Sequence, residues 1–125
     1  MTVVYDAGAL VAAERSDRRL WADHRARLEL GMVPMTTAPV VAQVSRSPQQ
    51  AQFRRFLRGC EVVPLAAAEA HEVGAVAGAS GVSDVVDVHV VLVASAVGAA
   101  VLTSDDHDLG RIATTLRAPV RLLHV

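Results

Sequence analysis

Short runs of β-branched and apolar residues alternate along this chain with longer segments of helical character. The segment between two successive runs is in each case long enough for a crossover helix, which parallel strands require. The pattern predicts an α/β fold of three layers, in which helices cover both faces of a central parallel sheet of four to five strands. The strand-like runs are TVVY (2–5), VPMTT (33–37), CEVVPL (60–65), AAVLT (99–103) and VRLLHV (120–125).

The helical segments have recognisable start signals. Ser16 or Asp17 is expected to cap the second half of a long helical stretch, and Pro39 is expected at the first position of a short helix. Residues 80–98 are rich in valine, which favours strands, but the length and the polar residues of this segment favour a buried helix that begins near Ser83. The predicted helical segments are 9–31 (one or two helices), 39–44, 47–59, 66–79, 80–98 and 105–115.

Length and composition limit the class of protein. The chain has 125 residues, of which 52% are hydrophobic, and this suits one domain over residues 1–125 with a substantial core. No uninterrupted apolar run is long enough to span a bilayer. The opening residues, MTVVYDAGAL, do not have the shape of a secretory leader. We therefore expect a cytoplasmic protein without a membrane partner. Cys60 is the one cysteine, which excludes a disulfide framework and a cysteine-based zinc site.

Charge is distributed unevenly between the two halves of the chain. Residues 1–60 carry nine arginines and five acids, a net charge of +4, and residues 61–125 carry three arginines and eight acids, a net charge of −5. Four arginines between positions 46 and 58, Arg46 among them, lie on or just before one predicted helix. They indicate either a solvated face or contacts to RNA phosphates. Aromatic residues make up 3% of the chain, so base stacking is poorly supplied, and we expect Tyr5 and Trp21 in the core.

Aspartates stand at the ends of two predicted strands and near the start of one predicted helix. Asp6 follows the first strand and Asp105 follows AAVLT, and the carboxyl ends of parallel strands meet at one edge of a sheet. Asp87 lies among valines, where a carboxylate needs a partner. Two like charges about 4 Å apart repel by roughly 4 kcal/mol at an effective dielectric of ~20, so a divalent cation is the expected partner. Carboxylates suit Mg²⁺ or Mn²⁺, which indicates phosphoryl chemistry.

The acids also have structural interpretations. Asp84 fits a helix cap, Asp6 fits a turn residue at the end of a strand, and Asp106 and Asp108 fit the solvated start of a helix. For Asp106 we prefer the solvated interpretation. His107 stands between two acids, and a capping or solvated role is favoured over metal ligation. Taken together, Asp6, Asp87 and Asp105 are explained better by a cation site than by separate structural roles.

Two stretches that carry these acids resemble the PIN domain family, in particular the VapC-type toxin ribonucleases of bacterial toxin–antitoxin pairs. The first is VVYDAGAL, with an aspartate at the end of the opening strand. The second is DVVDVHVVLVASAVGAAVLTSDDHDL, in which Asp87 is followed by Gly98 eleven positions on and by Asp105 of the Thr103-Ser104-Asp105 motif eighteen positions on. The second motif is the more specific, and the resemblance covers essentially the whole chain in length and element order.

The resemblance implies a PIN-like fold and a metal-dependent endoribonuclease, which hydrolyses RNA phosphodiester bonds, forms a homodimer and is neutralised by a cognate antitoxin. It implies a site that binds Mg²⁺, with Mn²⁺ as the alternative ion. By the resemblance, Asp6, Asp87 and Asp105 are the catalytic metal ligands, Asp84 and Asp108 are auxiliary acids, and Thr103 is a candidate for substrate contact. The charge pattern adds Arg46 as a second candidate for substrate contact.

One position departs from the family pattern. The family's second acid is a glutamate in the helix after the second strand, and PVVAQV supplies Gln43 at that place. A glutamine keeps a carbonyl oxygen but lacks the charge, which predicts weaker or altered metal binding. The alternative function is therefore a PIN-fold binding module that holds an antitoxin or RNA without efficient cleavage.

Other classes with an aspartate after a parallel strand lack support. Receiver domains and haloacid-dehalogenase-like phosphatases both use a lysine near the phosphate, and this chain contains none. The dehalogenase-like pattern also requires an aspartate two residues after the first, where this chain has Gly8. No GxGxxG motif follows the first strand, so a dinucleotide site has no support.

Overall fold

The five predicted strands form one parallel sheet. The structure is a computed structural model that describes residues 2–125. The strands are β1 (Val3–Tyr5), β2 (Met35–Thr37), β3 (Glu61–Val63), β4 (Ala100–Thr103) and β5 (Leu122–His124). They run in the order β3-β2-β1-β4-β5, and every neighbouring pair is parallel. This confirms the predicted α/β class and the expected number of strands.

Helices cover both faces of this sheet in the described residues. The helices are α1 (Ala7–Glu14), α2 (Arg18–Glu29), α3 (Ala38–Val44), α4 (Ala51–Leu57), α5 (Ala67–Ser80), α6 (Val85–Val97) and α7 (Asp106–Leu116). The long stretch 9–31 thus forms two helices. Because α1 packs against α2, α3 and α4, whereas α5, α6 and α7 pack against one another, the helices form the two outer layers of the predicted three-layer arrangement.

Three helix starts refine the boundaries predicted from the sequence. Asp17, and not Ser16, caps α2, because its carboxylate accepts the backbone N–H three residues on at 2.9 Å. Ser16 instead adopts a left-handed conformation with φ of 59°. Pro39 is the second residue of α3 and not the first. The expectation that Ser83 starts α6 is wrong, because the Asp84 carboxylate reaches the free N–H groups of the first turn.

The valine-rich segment forms the buried helix that its length predicts. Helix α6 packs against β1, β2 and β4, and Val88, Val90 and Val91 are fully buried. Burial on the sheet outweighs the modest preference of valine for strands. Within residues 2–125, no single helix is long and apolar enough to cross a membrane, and α5 and α6 meet the criteria only as a pair bent by 108°.

The order of the strands places a crevice between β1 and β4. The chain builds the sheet from β1 outward on one side and then returns to add β4 on the other, and open α/β sheets bind ligands at such a reversal. The backbone N–H of Asp6 donates to the carbonyl of Leu102 at 3.0 Å, so the pairing continues past the end of β1. Gly8 allows α1 to lie close to the loop after β4, because a Cβ there would collide with the Ser104 hydroxyl.

Candidate metal centre

Three of the helices that begin at the carboxyl edge of the sheet are preceded directly by an aspartate. Asp6 precedes α1, Asp84 precedes α6 and Asp105 precedes α7. Aspartate is favoured at this position because its carboxylate accepts free N–H groups of the first turn. The partial positive charge of each helix start also reduces the cost of placing several carboxylates together.

Helices α6 and α7 begin with the same D-x-x-D pattern. In α6 the Asp84 carboxylate accepts the backbone N–H of Asp87 at 3.3 Å, and in α7 the Asp105 carboxylate accepts the backbone N–H of Asp108 at 3.4 Å. The two patterns converge, since one oxygen each of Asp87, Asp105 and Asp108 lies within 4.8 Å of the other two. Asp87 is buried, Asp108 is half-buried and Asp105 is exposed. The centre is therefore open to solvent on one side.

Asp6 differs from the other two aspartates that precede helices. Its carboxylate makes no capping bond to α1, although the residue is only 4% exposed. One oxygen, Oδ2, accepts a hydrogen bond from the Thr103 hydroxyl at 2.9 Å. The other, Oδ1, is buried without a hydrogen-bond partner among the described residues. A carboxylate oxygen left unpaired in this way is costly, because burial removes its water.

Thr103 connects the ends of the two central strands. Its fully buried hydroxyl donates to Asp6 Oδ2 and accepts the backbone N–H of Asp105, each at 2.9 Å. The threonine therefore fixes the Asp6 side chain relative to the start of α7. This is a positioning contact between β1 and β4.

The acids raise one another's proton affinity. Burial is the main cause that raises the pKa of Asp87 to about 7, and the nearby charges of Asp6, Asp84, Asp105 and Asp108 add to it. Burial also raises the pKa of Asp6, and the charges of Asp105 and Asp84 add to the rise, whereas the nearby backbone N–H of Ala7 and the hydroxyl of Thr103 oppose it. A proton or a cation stabilises this arrangement, and near neutral pH a divalent cation does so for several carboxylates at once.

The other sequence-predicted residues lie around this centre and not within it. Gln43 and Arg46 are exposed and line a cavity of about 490 Å³ that also includes Ala7. Among the described residues, the Gln43 side chain makes no hydrogen bond to an acid. His107 is exposed, and its Nδ1 lies 3.4 Å from Asp108 Oδ1. Asp106 is exposed and faces His124, with 3.8 Å between Oδ1 and Nδ1.

One residue that lines cavities beside α1 is not predicted as a candidate from the sequence. Arg15 is exposed at the end of α1 and lines both the cavity with Gln43 and a neighbouring one that includes Gly8 and Ser104. Helical spacing could have indicated this residue. Ala7, Val11 and Arg15 are each four positions apart, so a helix that starts at Ala7 places them on one side.

Comparison with known proteins shows the fold. A scan of family models and a search of curated proteins found no match. Among solved structures, a chain in the crystal structure of VapBC2 from Rickettsia felis, bound to a DNA fragment from their promoter, matches with a TM-score of 0.69 and 16% identity, covering 100% of this chain and 99% of that chain. PAE2754 from Pyrobaculum aerophilum matches with a TM-score of 0.63 and 19% identity, covering 94% and 97%. At these identities the likeness is one of fold, and it confirms the PIN-like fold that the sequence resemblance predicts.

Proposed function

We propose that the protein is a Mg²⁺- or Mn²⁺-dependent endoribonuclease similar to the VapC toxins. The observation that carries the proposal is the unpaired, buried Oδ1 of Asp6, whose charge acts on the neighbouring cluster of Asp87, Asp105 and Asp108 without belonging to it. A structural role alone does not explain why a chain would hide an unpaired carboxylate oxygen among other acids. A cation-binding role does.

The donor set fits a small divalent ion. All the candidate ligands are carboxylate oxygens, which Mg²⁺ and Mn²⁺ prefer, and no cysteine or buried histidine takes part. Asp6, Asp87 and Asp105 would hold the ion, and Asp84 and Asp108 would support it from the helix starts. Once bound, such an ion supplies water activation and stabilises the charge that develops on a phosphodiester.

The residues of the chain have separate tasks in this proposal. Thr103 keeps Asp6 in one orientation, so that the carboxylate is already placed before the ion arrives. Asp87 gives up its proton when the ion binds, because its raised pKa leaves it partly protonated near pH 7. The open side at Asp105 admits an RNA strand.

The decisive experiment is Mn²⁺-dependent cleavage of a structured RNA by the purified protein and by Asp6→Asn. We expect cleavage by the wild type, inhibition by EDTA, and loss of activity in the variant. Asp23→Asn is the matched control, since Asp23 is an exposed aspartate of α2 that lies away from the centre. Undiminished cleavage by Asp6→Asn would overturn the proposal.

An antitoxin partner is part of the proposal. The fold match to a chain of VapBC2 supports such a pair, and by the same resemblance we propose a homodimer in the cytoplasm. Light scattering of the isolated protein should give the mass of a dimer. Co-expression with the product of the neighbouring reading frame should yield a complex that no longer cleaves RNA.

A second candidate is a binding module that has lost efficient catalysis. The observation that favours it is Gln43, which stands where the family has a glutamate and lies outside the hydrogen-bonding range of the acids. Binding of RNA without cleavage, at saturating Mn²⁺ and with an intact fold, would establish this function instead.

A further inference from the structure

We infer that two adjoining cavities over α1, α2 and α4, here called the basic track, guide the sugar-phosphate backbone of single-stranded RNA to the acidic centre. The inference rests on the proposed nuclease function and adds to it a path for the substrate.

The first part of the track is linked to the acidic centre through Ala7. It is the cavity of about 490 Å³ described above, which begins at Ala7, directly after Asp6 in the chain. Arg15 and Arg46 line its walls. The one acid in its lining is Glu14, whose Oε2 accepts the backbone N–H of Phe53 at 2.6 Å. This hydrogen bond holds the carboxylate against the start of α4, so that the two arginines outnumber one fixed acid in the first part of the track.

The second part continues from the first and is more basic. It is a cavity of about 370 Å³ between α2 and α4, lined by Arg18, Arg25, Arg55 and Trp21, and it contains no acid. The two parts adjoin, because Ser16 and Gln52 of the second lie one and two residues along the chain from Arg15 and Gln50 of the first. The track therefore extends from Ala7, the residue after Asp6, across the surface that α1, α2 and α4 form.

The arginines of the track carry charges that the protein itself does not neutralise. Across residues 2–125, the ion pairs within 4.0 Å both involve histidine, so no arginine is paired with a carboxylate. Arg46 donates to the carbonyls of Ala42 and Ser45, which holds its guanidinium against the end of α3. Arg55 lies over the Trp21 ring at 4.6 Å. Two of the cations are thus held in place, which lowers the entropy cost of phosphate contacts.

An RNA strand fits this surface better than an acidic polypeptide. A phosphodiester has to approach a centre of like charge, and a row of unpaired arginines that leads toward that centre offsets the repulsion. An acidic polypeptide on the track would meet the same acids without any chemical need to reach them. The Trp21–Arg55 stack also offers a planar surface for a base.

The test measures binding without catalysis. A fluorescein-labelled, 12-nucleotide single-stranded RNA of mixed sequence is titrated with protein in EDTA, and anisotropy gives the affinity at several salt concentrations. Arg18→Gln/Arg25→Gln removes two charges from the track. Arg117→Gln/Arg121→Gln removes two exposed charges elsewhere and is the matched control.

We expect the track variant to bind about tenfold more weakly, with the slope of log K against log salt reduced by about 1.4, which is the value for two lost phosphate contacts to a single strand. The control should change the affinity less than about twofold. Equal weakening in both variants would show an effect of net charge alone and would overturn the track, as would no weakening in the track variant.

Trp21 provides a local readout, because it is the one tryptophan of the chain. Its fluorescence should change when the RNA binds and should return when salt releases the strand. A glutamate-rich peptide of equal charge that binds more tightly than the RNA and produces the same change would overturn the assignment in favour of an acidic protein partner. Since EDTA prevents cleavage, failure of the track and failure of the proposed nuclease activity are distinguishable.

Discussion

Tyr5 and Asp6 are consecutive residues at the end of β1, and both are buried, yet their polar groups differ in how many hydrogen-bond partners they have. The Tyr5 hydroxyl lies 2.9 Å from His24 Nδ1 and accepts a hydrogen bond from Arg27 at 3.2 Å. Its ring packs against Phe56, with 5.0 Å between centroids. Asp6 has one oxygen bound to Thr103 and one oxygen without a partner. The Tyr5 hydroxyl therefore has its hydrogen-bond partners, whereas the Asp6 carboxylate lacks a partner for one oxygen.

The difference separates a polar group that the fold satisfies from one that it leaves without a partner. Burial raises the pKa of Tyr5 to about 12, so the hydroxyl stays neutral and needs only hydrogen bonds. The buried carboxylates have other carboxylates as neighbours, and in them burial and repulsion act together. His89 Nδ1 also lacks a partner among the described residues, but burial lowers the pKa of its ring and keeps it neutral. An unpaired group surrounded by like charges is the signature of a binding site.

The largest expected effect comes from substitutions in TSDDHDL (103–109), which test which of its three aspartates belong to the acidic centre. Asp105→Asn should lower the rate of Mn²⁺-dependent RNA cleavage by about 10² or more, because it removes a ligand charge. Asp108→Asn should lower it by about tenfold, as for a supporting residue. Asp106→Asn should leave it within about twofold, since Asp106 is exposed and faces His124. If Asp106→Asn were the most damaging of the three, the arrangement described for this helix start would be wrong.

The second prediction compares one substitution at Tyr5 with one at Asp6. Tyr5→Phe removes the hydroxyl and leaves His24 Nδ1 without its partner, which should lower the free energy of unfolding by about 1–3 kcal/mol. Cleavage per folded molecule should be unchanged. Asp6→Asn should behave in the opposite way, with no loss of stability in EDTA at pH 8 and no activity. Urea denaturation and cleavage assays on both variants check this, and the comparison fails if Tyr5→Phe inactivates the enzyme while it remains folded.

The third prediction concerns pH. Because the pKa of Asp87 is raised to about 7, the folded protein binds this proton more tightly than the unfolded chain does. The stabilisation is complete below the unfolded pKa, near 4, and is lost as the pH rises toward 7. In EDTA, Asp87→Asn should therefore be more stable than the wild type at pH 8, by about 1–2 kcal/mol, and not at pH 4.

Metal provides the control for this pH effect. Mg²⁺ should raise the melting temperature of the wild type at pH 8 much more than at pH 5, and it should raise that of Asp87→Asn little at either pH. If the metal-free stability of the wild type and of Asp87→Asn increased equally between pH 5 and pH 8, the ionisation of Asp87 would have no effect on stability. That result would contradict the raised pKa of Asp87.

The smallest expected effect is at Gln43. Its side chain is exposed and lies in the cavity that begins at Ala7, so a new charge there acts through solvent. Gln43→Glu should tighten Mn²⁺ binding by no more than about fivefold, because water and salt screen the interaction. Gln49→Glu is the control, an exposed glutamine in the loop before α4. Calorimetry that shows equal affinity in both variants would mean that position 43 does not support the site.

Much of this arrangement follows from the sequence, and the remainder depends on tertiary packing. The alternation of strands and helices predicts the parallel sheet, and aspartates placed after strands predict an acidic edge. The order of the strands is not written in local patterns, so the closeness of β1 and β4 emerges only in the structure. The orientation of the Asp6 carboxylate also emerges only in the structure, because it depends on a hydrogen bond from Thr103, 97 residues away. The basic track likewise combines side chains of separate helices.

The pairing of β1 with β4 also has a consequence for the moment at which activity appears during synthesis. The first strand carries Asp6, but the strand that completes the crevice begins at Ala100, and 97 residues separate Asp6 from the threonine that orients it. Contacts over such a distance form late in folding, because the cost of closing the loop precedes the gain from packing. A growing chain on the ribosome therefore holds no assembled acidic centre until β4 and the start of α7 have been made. For the proposed nuclease, this topology would delay assembly of the site until long after Asp6 has been made.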